Sequence, residues 1–167
     1  MRIAVVTLFP QMIREALNMG VVGRALERGI FQVEYFDPRE YTADPHRTVD
    51  DRPYGGGPGM VLKAEPMRSA VRDAMRVLPP GSRRVYLGAD GRRFDQSMAR
   101  EACAWLGLVL IAGRYEGIDE RFIEREQSTG EAPHARLVAE RRREGLAKAD
   151  GNVFDGVVRV DVQVTRG

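Results

Sequence analysis

The chain has 167 residues, 43% of them hydrophobic and 30% charged, with a formal net charge of +2. At about 150 residues per domain this is one globular domain with at most an appendage, and the charge excess is too small to argue for a nucleic-acid partner by itself. A single cysteine, Cys103, and two histidines, His46 and His134, exclude a disulfide framework and a four-ligand structural zinc site, and fit a reducing cytoplasm.

The opening MRIAVVTLFPQM carries no cleavage pattern, and no apolar run approaches the roughly 18 residues of a membrane span, so neither targeting nor membrane insertion is expected. Residues 3–9 are a continuous apolar run closed by Pro10, which predicts a strand buried on both faces; Ile13, Ala16 and Leu17 then change the period to helical. Gly20 and Gly23 punctuate that helical region, and Phe31, Val33 and Tyr35 alternate with Gln32 and Glu34 as a second strand, giving a β-α-β opening. Residues 37–60 have no usable period. A structureless stretch of that length is usually functional or disordered.

Met67, Ala70, Val71, Ala74 and Leu78 share one helical face, with Pro66 in the first turn and Pro79-Pro80-Gly81 beyond the end. Residues 84–87 predict a short strand and residues 88–91 a turn. Asp95 is placed to N-cap a helix whose apolar face is Ala99, Ala102, Cys103 and Leu106, which puts Cys103 in the core. Residues 108–112 are the most apolar run, followed at Gly113 by a loop and a short helix over 119–126. Strands alternating with helices imply an α/β domain with a mostly parallel sheet, in which 3–9, 84–87 and 108–112 are adjacent central strands. After Gln127 the composition shifts to Ala, Arg, Gly and Val, predicting a charged helix over 135–149 and a strand pair around 153–164.

Two segments have the residue types of a binding site. In HRTVDDRPYGGGPGM (46–60), consecutive glycines let backbone N–H groups approach an anion or a planar ring, while Asp50, Asp51, Arg47 and Arg52 can fix polar groups. No Lys-Ser/Thr follows, so this is not a Walker A loop, and a flexible charged turn is the bland alternative. GRYEGIDERF (113–122) leaves the most buried strand at its carboxyl end, where open α/β sheets bind ligands; alternatively, Asp119 only caps a helix.

Together with LFP at 8–10 and GxxGRA at 20–25, these segments resemble the bacterial tRNA (guanine-N1)-methyltransferases of the SPOUT class, over residues 1–127. The resemblance implies a SPOUT-like α/β sheet with a trefoil knot, a homodimer, tRNA as substrate, S-adenosylmethionine as methyl donor, and methylation of N1 of the guanine 3′ of the anticodon. By the same resemblance Tyr86, Leu87, Gly113, Tyr115, Glu116, Gly117 and Ile118 hold the donor, and Asp50, Arg52, Gly59 and Arg114 contact tRNA. Two departures stand out. Gly88-Ala89-Asp90-Gly91 replaces the family's Ser-Pro-Gln-Gly turn, adding a carboxylate beside the pocket. The knot-closing segment, the Asp general base and the helical tRNA-binding domain have no match in 128–167, leaving Glu116 as a conceivable base. The chain therefore reads as a truncated or rearranged member of impaired activity, with an atypical tail. The alternatives are a non-catalytic cofactor- or RNA-binding remnant and a product that does not fold stably.

Overall fold

In a computed structural model that describes residues 1–128 and 135–138, the chain opens with strand β1 (Arg2–Val6), helices α1 (Pro10–Leu17) and α2 (Gly20–Glu27), and strand β2 (Gln32–Phe36). A 3-10 turn (Pro38–Tyr41) leads to a small antiparallel pair, β3 (Asp50–Asp51) and β4 (Val61–Leu62). Then follow α3 (Ala64–Arg76), β5 (Arg83–Arg93), α4 (Gln96–Cys103), β6 (Gly107–Ala112), α5 (Glu120–Ser128) and β7 (Ala135–Val138). The main sheet has the order β2-β1-β6-β5-β7 and every pairing in it is parallel. The three expected central strands are therefore neighbours, with β6 between β1 and β5.

The pleat explains why β6 has no polar position. Val109 and Ile111 face a core built with Ala4, Val6 and Leu8 and with Met67, Ala70, Val71 and Ala74 of α3, and all of these are buried. Leu108 and Leu110, on the opposite face, join Val85, Met98, Phe94 and Trp105. Successive side chains thus go to different helix layers, so both parities must be apolar. On α3 all five predicted residues are buried, Leu78 just past the helix end.

Several boundaries differ from the sequence reading. The first strand ends at Val6 because Phe9 takes the N-cap position of α1 and Pro10 its first turn, where proline's missing N–H costs nothing. The turn expected at 88–91 does not end β5. Leu87 and Arg92 both lie opposite Leu137, so the four intervening residues are an excursion in register rather than a strand break. Asp95 does cap α4, its side chain accepting from the Met98 amide at 2.9 Å.

The face of α4 is a correction. Met98 is its buried residue, whereas Cys103 is exposed and Leu106 is 65% exposed. A helix of eight residues, little more than two turns, buries only one of the two faces. The long Met98 side chain fills the space against Phe94, Trp105 and Val85, and this rotates the Cys103 side outward. Ala135–Val138, expected within a charged helix, is strand β7, which covers an edge of β5 that would otherwise expose unpaired backbone groups. Residues 139–149 of that expected helix, the strand pair near 153–164 and any knot closure lie outside the described residues.

This arrangement predicts opposite outcomes for two residues of one helix. Met98→Ala should cost about 2–5 kcal/mol in denaturant unfolding, while Cys103→Ser should stay within about 0.5 kcal/mol of wild type. Cys103 should react with a maleimide in the folded protein; a thiol that labels only in denaturant would restore the buried assignment.

Candidate functional site

Parallel pairing sends the carboxyl ends of β1, β5 and β6 to one edge of the sheet, where strand-end loops are free to surround a ligand. The loop after β6 turns sharply there. Tyr115 has φ 59 and Gly117 φ 129, and the Gly117 amide donates to the Arg114 carbonyl at 3.2 Å. A φ of 129 is a conformation that only glycine adopts without strain, which gives Gly117 a physical reason.

This loop is joined by its backbone to the end of the glycine-rich segment. The Glu116 amide donates to the Met60 carbonyl at 3.0 Å, the Leu62 amide to the Gly117 carbonyl at 2.9 Å, and the Asp119 amide to the Leu62 carbonyl at 3.0 Å. Leu62 and Ile118 form a parallel bridge, and the Lys63 amide extends the seam to the Val49 carbonyl at 2.8 Å. Two segments more than fifty residues apart thus behave as one short piece of sheet.

Beside the seam, Tyr86, Gly113, Gly117 and Ile118 lie close together, a cluster called the bowl below. A Cβ built on Gly113 would lie 3.4 Å from Tyr86 Cε2 and 3.6 Å from Ile118 Cγ1, and one on Gly117 would lie 3.5 Å from the Tyr86 hydroxyl. Alanine would fit at 113; a larger side chain would fill the bowl. Leu87 and Tyr115 are each 45% exposed. Glu116 leans over the glycine-rich segment, and a Cβ on Gly59, whose φ is 91, would come within 2.5 Å of Glu116 Cγ.

The residues expected to contact tRNA are not gathered at one point. Asp50 is half-buried opposite Leu62 in the β3–β4 pair, and Gly59 touches Glu116. Arg114 places its guanidinium carbon 5.4 Å from the centre of the Phe9 ring, and Arg39 approaches the same ring at 5.9 Å. Arg39 is itself held by the Leu8 carbonyl at 2.6 Å and by Asp37. Leu8-Phe9-Pro10 therefore does three jobs: a core residue, a ring between two guanidiniums, and a helix start. Arg52 lines a separate cleft with Asp51 and Tyr54. The side chain of Asp90 lies outside the described residues. Phe9 and Met60 lie in segments that the sequence singled out, but their partners, and Arg39 altogether, had no signal there, since nothing local marks a partner dozens of residues away.

Two carboxyl groups near the site are held in the charged form. The Thr48 amide holds Asp44 below the ordinary carboxyl range, which shapes the turn before Val49. The Arg121 side chain, hydrogen-bonded to Asp119, does the same there, and Asp119 in turn raises Arg121. Asp119 also accepts from the Arg121 amide at 3.0 Å, which makes it the N-cap of α5. Because the folded-state value is depressed, the stabilisation is complete above the ordinary carboxyl value of 3.8 and is lost as the pH falls through the lower folded value. Asp119→Asn should remove that acid-side loss of stability in unfolding curves measured downward from pH 5; an unchanged acid limb would show that the pair contributes nothing.

Comparison with known proteins fits these segments into a family. The family model described as tRNA (Guanine-1)-methyltransferase TrmD matches residues 1–131. A tRNA (guanine-N(1)-)-methyltransferase of Methylococcus capsulatus is 56% identical over 126 residues, covering 75% of this chain and 50% of that protein. Proteins of the same name from Hahella chejuensis (52% over 122 residues, 73% and 47% covered) and Pectobacterium atrosepticum (48% over 126 residues, 75% and 50% covered) are similar as well. The chain spans about half the length of the curated relatives it matches. With both site segments inside the matched region, the chain belongs to the tRNA (guanine-1)-methyltransferase family.

Proposed function

We propose that these residues serve S-adenosylmethionine-dependent methylation of N1 of the guanine 3′ of the anticodon in tRNA, in the cytoplasm. The observation that carries this reading is the backbone seam, which sets the bowl of Tyr86, Gly113, Gly117 and Ile118 against the loop carrying Gly59. A donor site and a base site must adjoin if a methyl group is to pass between them.

The bowl suits a bent, partly planar donor. Tyr86, Leu87 and Tyr115 offer apolar surface, and Gly113 leaves the backbone uncovered where a side chain would fill the space. When bound, S-adenosylmethionine supplies an electrophilic methyl group on its sulfonium. The chain's own part is to orient the guanine and take its proton. Neutral guanine N1 carries a proton and is a poor nucleophile until a base removes it. Among the described residues, Glu116 is the carboxylate leaning on Gly59, and we assign it as the base candidate. Arg114, fixed against Phe9, and Arg52 serve the tRNA backbone, with Asp50 supporting the loop.

The donor-binding unit is residues 1–127. Turnover by this chain is slow, because no match to the family's Asp base is recognisable in residues 128–167. Loss of a general base alone lowers rates on the order of 10²–10⁴-fold. The unit works as a homodimer: α1 buries none of its residues, and Met12, Met19 and Val21 on α1, α2 and their junction are all more than 60% exposed, an apolar surface that a second copy would cover. A monomer in light scattering would reject that part.

Calorimetric titration tests the donor site. Wild type and Asp119→Ala should bind S-adenosylmethionine, whereas Gly113→Val should not while keeping a wild-type unfolding midpoint, and Gly117→Val should lose both binding and loop order. Equal affinity in wild type and Gly113→Val would reject the bowl as the site. Transfer of labelled methyl groups to unmodified tRNA should be weak or absent; turnover equal to that of a full-length relative would overturn the slow-turnover reading.

A further inference from the structure

The seam has two sides. Leu62 and Ile118 belong to the core beneath the bowl, whereas their chain neighbours Val61 and Asp119 line an open cleft of about 530 Å³ together with Arg52, Tyr54, Lys63 and Arg121. Alternation along two paired strands puts consecutive residues on opposite faces, so the bowl and the cleft share one wall.

At the mouth of this cleft, the Tyr54 ring is 94% exposed and contributes nothing to the core. The three residues that follow, Gly55, Gly56 and Gly57, all have positive φ, which turns the chain back and leaves the ring projecting. The Arg121 guanidinium carbon lies 5.9 Å from the centre of the ring. That guanidinium does not wander, because Asp119 accepts from its Nε at 2.9 Å and from its Nη2. An exposed aromatic ring beside a fixed guanidinium is a stacking platform for another planar group, and the guanidinium adds a cation–π contribution.

The charges around it are mixed. Asp119 is engaged by Arg121 and Glu65 by Arg68, leaving Arg52 and Lys63 against Asp51 on the remaining lining. A small positive excess does not select an anion by itself. It does accommodate a phosphodiester that arrives attached to a stacked base. We propose that Tyr54, braced by Arg121, is the stacking site for an unpaired nucleotide of the RNA substrate adjoining the one that reacts, with Arg52 and Lys63 serving its backbone. This rests on the tRNA reading above. When one base leaves its stack to enter a pocket, its neighbour loses a stacking partner, and an aromatic ring just across the pocket wall replaces it.

The test is fluorescence anisotropy with the full 167-residue chain. The probes are a labelled anticodon stem-loop RNA containing the guanine 3′ of the anticodon and a fully paired RNA duplex of equal length. Tyr54→Ala should weaken stem-loop binding about tenfold without moving the unfolding midpoint or the donor affinity. Tyr54→Phe, which keeps the ring, should bind like wild type, and the duplex should bind all three proteins equally. Wild-type affinity in Tyr54→Ala overturns the platform. So does equal loss in Tyr54→Ala and Tyr54→Phe, because the hydroxyl rather than the ring would then be responsible. Wild type that binds the donor but no stem-loop RNA overturns the platform alone; wild type that binds neither overturns the function proposed above as well.

Discussion

Three backbone hydrogen bonds, between the amides of Glu116, Leu62 and Asp119 and the carbonyls of Met60, Gly117 and Leu62, hold the candidate site together. Each contributes only about 1 kcal/mol net in a folded protein, which is modest against the core. Their importance is geometric. They turn a glycine-rich loop that would otherwise sample many conformations into a wall with fixed register, and every site residue on either segment takes its position from that register.

The cost of such a wall is borne by glycine and by unusual backbone. Gly59 and Gly117 both sit at positive φ, where other residues are strained, and a Cβ on Gly59 would also displace the Glu116 side chain. Tyr115 accepts a left-handed φ of 59, a conformation that costs a non-glycine residue about 1–3 kcal/mol. That strain is tolerable because the core is close by. Ile118, Phe122 and Ile123 anchor the chain just after the turn, and Leu62 anchors the other segment just after the glycines. Apolar residues thus flank the strained backbone on both sides, so hydrophobic burial holds the turn closed while its tip stays open to ligand.

How much of this the sequence revealed depended on whether the cause was local. Uninterrupted apolar runs gave β1 and β6 because two-sided burial leaves no polar positions, and the α3 face was legible because five residues repeat at helical spacing. The N-cap at Asp95 was legible from its residue type and place. Cys103 was misjudged because on a helix this short two adjacent faces are nearly equally apolar, and the size of Met98 decides which one is buried. The excursion of β5 near Asp90 and the strand at Ala135–Val138 depend on pairing with each other, which no local pattern encodes. At the site, four of the residues named from resemblance, Tyr86, Gly113, Gly117 and Ile118, lie close together, whereas Asp50, Arg52, Gly59 and Arg114 have four different settings. Phe9 and Arg39 were invisible as partners of Arg114 because the three meet only where β1 and β6 end side by side.

The seam itself can be measured without any ligand. Native-state hydrogen exchange resolved by residue should show the amides of Leu62, Glu116 and Asp119 protected well above the neighbouring amides of Gly55 and Gly57, because the first three are donated to carbonyls across the seam and a protected amide must await opening. Exchange of Leu62, Glu116 and Asp119 as fast as those glycines, in a protein whose β6 amides remain protected, would mean that the two segments are not joined and that the site has no fixed wall.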